Sequence, residues 1–462
     1  MDQPDNIHGN SLAISLSGGG HRATLFALGA LMYIVDSGAN ANVSSIASVS
    51  GGSLTNGFVG QEVNFRQTDR DEFRASVASP LATQIAKSGT LFAPLLSKIY
   101  VALLVVWGLA ALIVPWTIDV PWYGRIILFL IALTLWGWFL ALRGRLCARA
   151  FRITLFSPNK QTTKLSQITK PDMDHVICST EFRSAEQVYF GGDFIYSYAL
   201  GLGVPADLPL ASAVQSSAAF PGGFPPSSLP TAPHKFQGTP PESAGGPPEL
   251  PAHMVLTDGG VYDNMGEQWV RGFAKRMELC PTLKKGRTAP DRLVVVNASA
   301  RIPWSPFKRR FLPLLGEFLA LLRVNDILYI NTTNMRRQSI VASFNPNDPT
   351  KASAPRSVLV QIAQSPFVVA NKFAKGNGPA AAPAKAVLQL LEGGPSSKEW
   401  STIASDNAAV GTSLSKFGTD VTARLIYHGY IVTMCNLHVF FGADFPLLPA
   451  ELSEERFRKL IV

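Results

Sequence analysis

The first third of the chain alternates short apolar runs with glycine-marked turns. Leu12–Leu16 is an apolar run of strand length, a glycine turn follows, and Ala23–Val35 has the apolar density of a buried helix. Gly38, after Asp36-Ser37, marks the C-terminal stop of that helix. The plan then repeats, with Val43–Val49 as a strand, Ser50 as the turn and Ser53 onward as the start of a second helix. Such β-then-α units predict a parallel sheet with helices on both faces. Further along, His175–Ser179 and Val188–Phe190 read as strands, Arg292–Asn297 as a buried strand and Ser357–Ala363 as another. Phe311–Ile330 and Val421–Cys435 read as helices. Residues 227–252, rich in Pro, Gly and Ser and without periodicity, predict a loop, as does Lys372–Pro383. No internal repeat is present.

One block breaks this rhythm. Ile99–Trp116 and Ile126–Leu142 carry no charged side chain, and the polar break between them, Thr117–Arg125, holds one acid and one base. At ~1.5 Å per residue each run spans about 25–27 Å, slightly short of a hydrocarbon core of about 30 Å. Trp107, Trp116, Trp122, Tyr123, Trp136 and Trp138 include several near the run ends, where amphipathic rings favour a membrane interface. Lys87 and Lys98 precede the pair; Arg143, Arg145, Arg149 and Arg152 follow it. By the positive-inside rule both flanks face the cytoplasm, which predicts a two-span transmembrane helical hairpin. The competing reading is a pair of buried helices in a soluble domain. Because the α/β pattern resumes after it, the hairpin is expected to leave the domain surface as a separable anchor. The organisation predicted is an α/β domain in two parts, 1–90 and 151–300, interrupted by the hairpin at 91–150 and followed by an α/β extension at 301–462.

Composition agrees with a lipid-facing protein. Hydrophobic residues make up 47% of the 462 residues, and the mean hydropathy is +0.16. The net charge of +9 suits an anionic lipid surface, where each basic residue is worth about 1 kcal/mol. Nucleic acid is not expected as a partner, since the basic residues are scattered and the one tight cluster is Lys308-Arg309-Arg310. Cys147, Cys178, Cys280 and Cys435 form no CxxC pair and no metal-ligand spacing with the seven histidines. They read as buried thiols of a reducing compartment, and neither metal nor organic cofactor is expected. Met1–Asp5 shows no basic region ahead of an apolar core, so a cytoplasmic catalytic part is expected.

Three distant stretches carry the candidate chemistry: Ser17-Gly18-Gly19-Gly20-His21-Arg22, Ser48-Val49-Ser50-Gly51-Gly52 and Thr257-Asp258-Gly259-Gly260. A serine on a tight strand-to-helix turn holds its hydroxyl clear of the backbone and needs small neighbours, which makes Ser50 the candidate nucleophile. Asp258 is the candidate base, with Asp263 as competitor or as a capping carboxylate. Gly18, Gly19 and Gly20 can turn backbone N–H groups towards a developing alkoxide. They match neither G-x-G-x-x-G nor a phosphate-binding loop with its Lys-Ser/Thr ending. His21 or His253 would supply a triad instead, whereas His8, His175, His234, His428 and His438 carry no supporting motif.

Taken in this order, the three stretches resemble the patatin-like phospholipases. The resemblance extends to Ala211–Gly222, just upstream of the aspartate motif, to Asp258-Gly259-Gly260-Val261-Tyr262-Asp263-Asn264, and weakly to Leu425–Tyr430. It covers most of residues 11–275 outside the insertion. Ser48 departs from the family pattern, which has glycine there. The resemblance implies a three-layer α/β/α sandwich around a mostly parallel sheet, and a Ser50–Asp258 dyad with no histidine. It also implies an oxyanion cradle at Gly18, Gly19 and Gly20, with Arg22 either orienting that loop or attracting a lipid phosphate. The expected substrate is a phospholipid or lysophospholipid of the bilayer, hydrolysed through an acyl-Ser50 intermediate. Acyl transfer by the same dyad, or an inactive membrane scaffold of the same fold, are the alternatives, and the oligomeric state is open.

Overall fold

The computed structural model of the chain describes residues 11–237, 250–284, 286–299, 313–343 and 356–462. The predicted basic cluster Lys308-Arg309-Arg310, His8 and residues 238–249 of the predicted loop lie outside these.

Among the described residues ten strands build one sheet: β1 (Leu12–Leu16), β2 (Val43–Ser48), β3 (Asp174–Glu181), β4 (Gln187–Phe190), β5 (Ile195–Ser197), β6 (Gly201–Gly203), β7 (Ser227–Pro230), β8 (His253–Asp258), β9 (Arg292–Asn297) and β10 (Arg356–Gln361). Their order is β10-β9-β1-β2-β3-β4-β5-β6, with β8 beside β3 and β7 beside β8. The pairs β10–β9, β9–β1, β1–β2 and β2–β3 are parallel, while β3–β4, β3–β8 and the short strands beyond are antiparallel. Successive residues of β1 alternate between the two faces. Leu12, Ile14 and Leu16 join the core formed with the first helix, and Ala13 joins a second core on the other face with Val176, Cys178 and Trp269. The sheet is therefore covered on both sides, an α/β arrangement in which β10, β9, β1, β2 and β3 run parallel.

α1 (Gly20–Asp36) is buried along all but its last residue, and α2 (Gly51–Glu62) starts directly after Ser50. The long helix Thr419–Phe441 lies along α1. Glycine sets how closely these two helices cross. A Cβ on Gly429 would sit 2.1 Å from the Phe26 carbonyl oxygen, and one on Gly29 would sit 2.0 Å from that of Ile426. Gly429→Ala is accordingly expected to lower unfolding stability by about 1–3 kcal/mol, the usual cost of overpacking. Gly411→Ala, where an added Cβ meets no atom within 4 Å, is the comparison. Equal midpoints for the two variants in chemical denaturation would show that the crossing tolerates a side chain.

Two expectations are corrected here. Lys372–Pro383 is not a loop: Phe367–Ala374 and Ala381–Leu391 are helices separated by a short turn. Pro383 falls in the first turn of the second helix, where its missing N–H has no intrahelical acceptor to lose. The predicted loop at 227–252 contains β7, which pairs with β8.

The insertion forms two helices, Leu95–Thr117 and Trp122–Ala141, longer than the uncharged runs suggested. At ~1.5 Å per residue they reach about 34 and 30 Å. Both are long and apolar enough to cross a membrane. They pack on each other: Trp136 Nε1 donates to the Leu104 carbonyl oxygen at 2.9 Å, and Tyr100 Oη to that of Phe139 at 2.8 Å. Their outer surface has no protein partner among the described residues. No residue of the second helix is buried, and Trp138 is 76% exposed. A pair of core helices in a soluble domain would bury that surface.

Candidate active site

The nucleophile candidate and the acid candidate meet because two strands share one side of β3. β2 pairs in parallel with the first half of β3, ending at Ser48 opposite Ile177. β8 pairs antiparallel with its second half, ending at Asp258 opposite Ser179. The strands thus approach end to end, and the turns that follow them, Val49-Ser50 and Gly259-Gly260, face each other.

Ser50 sits at φ 49°, ψ −113°, a conformation that side-chain-bearing residues seldom adopt and that costs on the order of 1–3 kcal/mol. Its surroundings impose it. The Ser50 N–H donates to Ser217 Oγ at 2.9 Å, and Ser217 Oγ donates in turn to the Cys178 carbonyl oxygen at 2.6 Å. Beyond the serine the chain has no room for a Cβ: one on Gly51 would lie 2.1 Å from the Gly20 carbonyl oxygen, and one on Gly52 2.6 Å from that of Leu16. Ser48 is tolerated in place of glycine because its hydroxyl donates to the Val176 carbonyl oxygen at 3.1 Å and accepts from Asn56 Nδ2 at 2.9 Å.

Asp258 is 6% exposed, and its Oδ1 accepts the Gly260 N–H at 2.7 Å. Burial pushes its carboxyl up to about 7, against the opposing pull of the Gly260 N–H and the Ser50 hydroxyl. The Ser50 hydroxyl lies within hydrogen-bonding reach of this carboxyl, the proximity that a base needs to take its proton. Tyr329, from the helix Pro313–Ser343, packs against Gly260 beside the carboxyl.

The three glycines part ways. Gly18 N–H donates to the Asn264 carbonyl oxygen at 2.9 Å, which takes Gly18 out of the set of available donors. The N–H groups of Gly19 and Gly20, and of Gly51 at the first position of α2, meet no acceptor among the described residues. Arg22 is 1% exposed and all its nitrogens are engaged. Nε donates to the Ala298 carbonyl oxygen at 2.9 Å, Nη1 to that of Val410 and Nη2 to Thr412 Oγ1 at 3.4 Å. Burial lowers this guanidinium to about 10. Of the two roles left open for Arg22, the contacts are those of a residue that ties the glycine loop in place.

The competing acid–base residues are placed elsewhere. Both His21 ring nitrogens are engaged, Nδ1 with the Ser415 carbonyl oxygen at 2.8 Å and Nε2 with Thr90 Oγ1 at 2.9 Å, and burial pushes the ring down to about 4. His253 stands at the exposed start of β8, about 17 Å along the strand from Asp258. The Asp263 carboxylate accepts the N–H groups of Met265 and Gln268 at 3.0 and 2.9 Å, as a capping side chain does.

Ser50, Gly20 and Gly51 line a groove of about 310 Å³ whose other walls are largely apolar, among them Leu54, Leu91, Phe220, Phe224 and Leu414. The hairpin contributes Tyr100, Val101 and Leu104, and the helix after it Arg143 and Leu146. The base of the hairpin is therefore part of the groove wall. Sequence reading missed these five residues: the uncharged run explained itself as a span, and nothing in it signals contact with Ser50. Ser217 was missed as well, although it lies in the Ala211–Gly222 segment. A larger cavity, about 730 Å³, lies at the amino ends of the strands around Asp174, Arg66 and Arg287. α/β sheets place ligands at the carboxyl ends of their strands, which is where the Ser50 groove lies. No group of three or more His, Cys, Asp or Glu able to hold a metal occurs among the described residues.

No curated protein matches the chain. Among solved structures, human GIVD cytosolic phospholipase A2 is 11% identical with a TM-score of 0.44, the match covering 98% of this chain and 62% of that one. Its complex with methyl gamma-linolenyl fluorophosphonate and terbium chloride gives 12% and 0.40, over 100% and 60% of the two chains. VipD from Legionella pneumophila gives 13% and 0.26, over 98% and 91%. The chain therefore spans less than two thirds of the cytosolic phospholipase A2 chains. The model of the patatin-like phospholipases matches residues 14–268, more than half of the sequence and a stretch that holds Gly18–Gly20, Ser50 and Asp258. The chain belongs to the patatin-like phospholipase family.

Proposed function

We propose that the protein is a membrane-anchored serine lipid acyl hydrolase that cleaves the ester of a phospholipid or lysophospholipid with a Ser50–Asp258 dyad. The observation that carries this reading is the strained Ser50 elbow facing a buried Asp258 at the base of an apolar groove. An ester carbonyl enters beside Gly20 and Gly51 with its acyl chain along the groove. Asp258, ionised, takes the Ser50 proton as the oxygen attacks the carbonyl carbon. The N–H groups of Gly19, Gly20 and Gly51 receive the developing oxyanion; one such donor typically contributes about 10²–10³ in rate. Asp258 returns the proton to the departing alcohol, and water, deprotonated by the same carboxylate, releases the fatty acid from acyl-Ser50. The hairpin lies in the bilayer with both basic flanks on the cytoplasmic side, so the groove opens where the lipid already is.

A fluorophosphonate probe is expected to label the wild-type protein at Ser50 and to leave Ser50→Ala unlabelled. Mass spectrometry of membrane lipids exposed to the two proteins should show free fatty acid and lysolipid with the wild type alone. Transfer of the acyl group to a lipid alcohol in place of water would replace hydrolysis by acyl transfer. Equal labelling of both proteins would remove Ser50 from the mechanism.

A further inference from the structure

We propose that Arg143 binds the phosphate of the substrate and makes the Ser50 groove selective for phosphate-bearing acyl esters over neutral ones. The proposal rests on the hydrolase reading above. Arg143 is the only charged side chain among the described residues that line the groove. It opens the helix Arg143–Thr154, immediately after the second hairpin helix, so it stands where the apolar insertion joins the catalytic domain.

Its guanidinium is held in a fixed plane by two donations to backbone. Nε donates to the Gly223 carbonyl oxygen at 2.7 Å, and Nη1 to that of Leu140 at 3.0 Å. A guanidinium carries five N–H donors, so three remain, including both on Nη2, and none of these has an acceptor among the described residues. A planar, oriented fork with spare donors at an otherwise uncharged slot suits a phosphate, which accepts two parallel N–H bonds. Arg22, the other guanidinium near the nucleophile, cannot do this, since it is buried and its nitrogens are all engaged. An acyl chain against Tyr100 and Leu104 leaves the polar end of the lipid at the junction that Arg143 occupies.

The test uses the full-length protein in nonionic detergent and substrates kept monomeric, so that no bilayer contributes. Short-chain phosphatidylcholine is compared with a neutral short-chain p-nitrophenyl ester, for wild type, Arg143→Gln and Arg143→Lys. The ratio of kcat/KM for phosphatidylcholine to that for the neutral ester is expected to fall by about tenfold or more in Arg143→Gln, as for a lost hydrogen bond to a charged group. The fall should reside mainly in KM, and Arg143→Lys should recover part of it. An unchanged ratio overturns the proposal, whether both activities drop together, which marks Arg143 as a wall or folding residue, or neither moves. A wild-type protein that hydrolyses neither ester and takes no fluorophosphonate would instead sink the hydrolase reading itself.

Discussion

Asp258→Asn is expected to lower kcat/KM by at least the 10²–10⁴ typical of removing a general acid–base group, while the variant melts at a higher temperature than wild type at pH 8. The two effects share one cause. Burial raises the Asp258 carboxyl to about 7, so its ionised form, the one able to take the Ser50 proton, is the form the fold disfavours. The wild-type pH profile of kcat/KM should therefore rise through about 7, and not through the usual carboxylate range near 4. For stability the sign is the opposite. The folded-state value lies above the unfolded one, so this carboxyl's contribution is fully present below about pH 4 and is lost as pH rises through about 7. At pH 8 the charge is a burden on the order of a few kcal/mol, which a neutral asparagine removes. The thermal difference between the variant and wild type should shrink as pH falls towards 4. His253→Ala, at the exposed start of β8, serves as the comparison. Loss in His253→Ala as deep as in Asp258→Asn would replace the dyad with another base, and an acid limb near 4 in the wild type would show that burial does not raise the carboxyl.

Strand positions were legible where the local pattern alone decides them. β1 and β9 lie at the residues their apolar runs mark, because a parallel strand covered on both faces leaves few positions for polar side chains. The elbow was legible too, since Gly51 and Gly52 stand where backbone from α1 and β1 approaches too closely for a Cβ. What stayed hidden depends on contacts between distant residues. Nothing around Asp258 states that β8 takes over the side of β3 that β2 leaves, yet that handover brings the carboxyl to Ser50. Nothing in Gly18-Gly19-Gly20 states that the first N–H is taken by the Asn264 carbonyl, nor that the Gly51 N–H beside them is left without an acceptor among the described residues. Gly429, within the Leu425–Tyr430 segment, faces Phe26 across the helix crossing. The loop expected at Lys372–Pro383 gives way to helices at both its ends, and Pro383 stands in the first turn of the second, a place a helix accepts.

Deleting residues 99–142 with a short Gly/Ser replacement is expected to abolish hydrolysis of bilayer lipid and also to cut activity on a soluble short-chain ester by about tenfold or more. The second loss follows from the groove: Tyr100, Val101 and Leu104 form part of its wall, and burying one large apolar side chain is worth about 1.5–3 kcal/mol. A shorter excision separates wall from anchor. Leu104 and Trp136 are joined by a 2.9 Å hydrogen bond, and Gly108 lies against the Trp136 ring, so the chain ends left by removing 106–135 are neighbours that a short linker can bridge. That variant keeps Tyr100, Val101, Leu104 and Arg143 but lacks most of the exposed apolar surface, including Leu109, Leu112, Ile113, Leu130 and Ile131. It should leave alkaline-washed membranes, retain activity on the soluble ester and lose activity on bilayer lipid. Membrane retention of the 106–135 excision would move the anchor elsewhere in the chain. Full soluble-ester activity in the 99–142 deletion would show that the groove closes without the hairpin, as a detachable anchor requires.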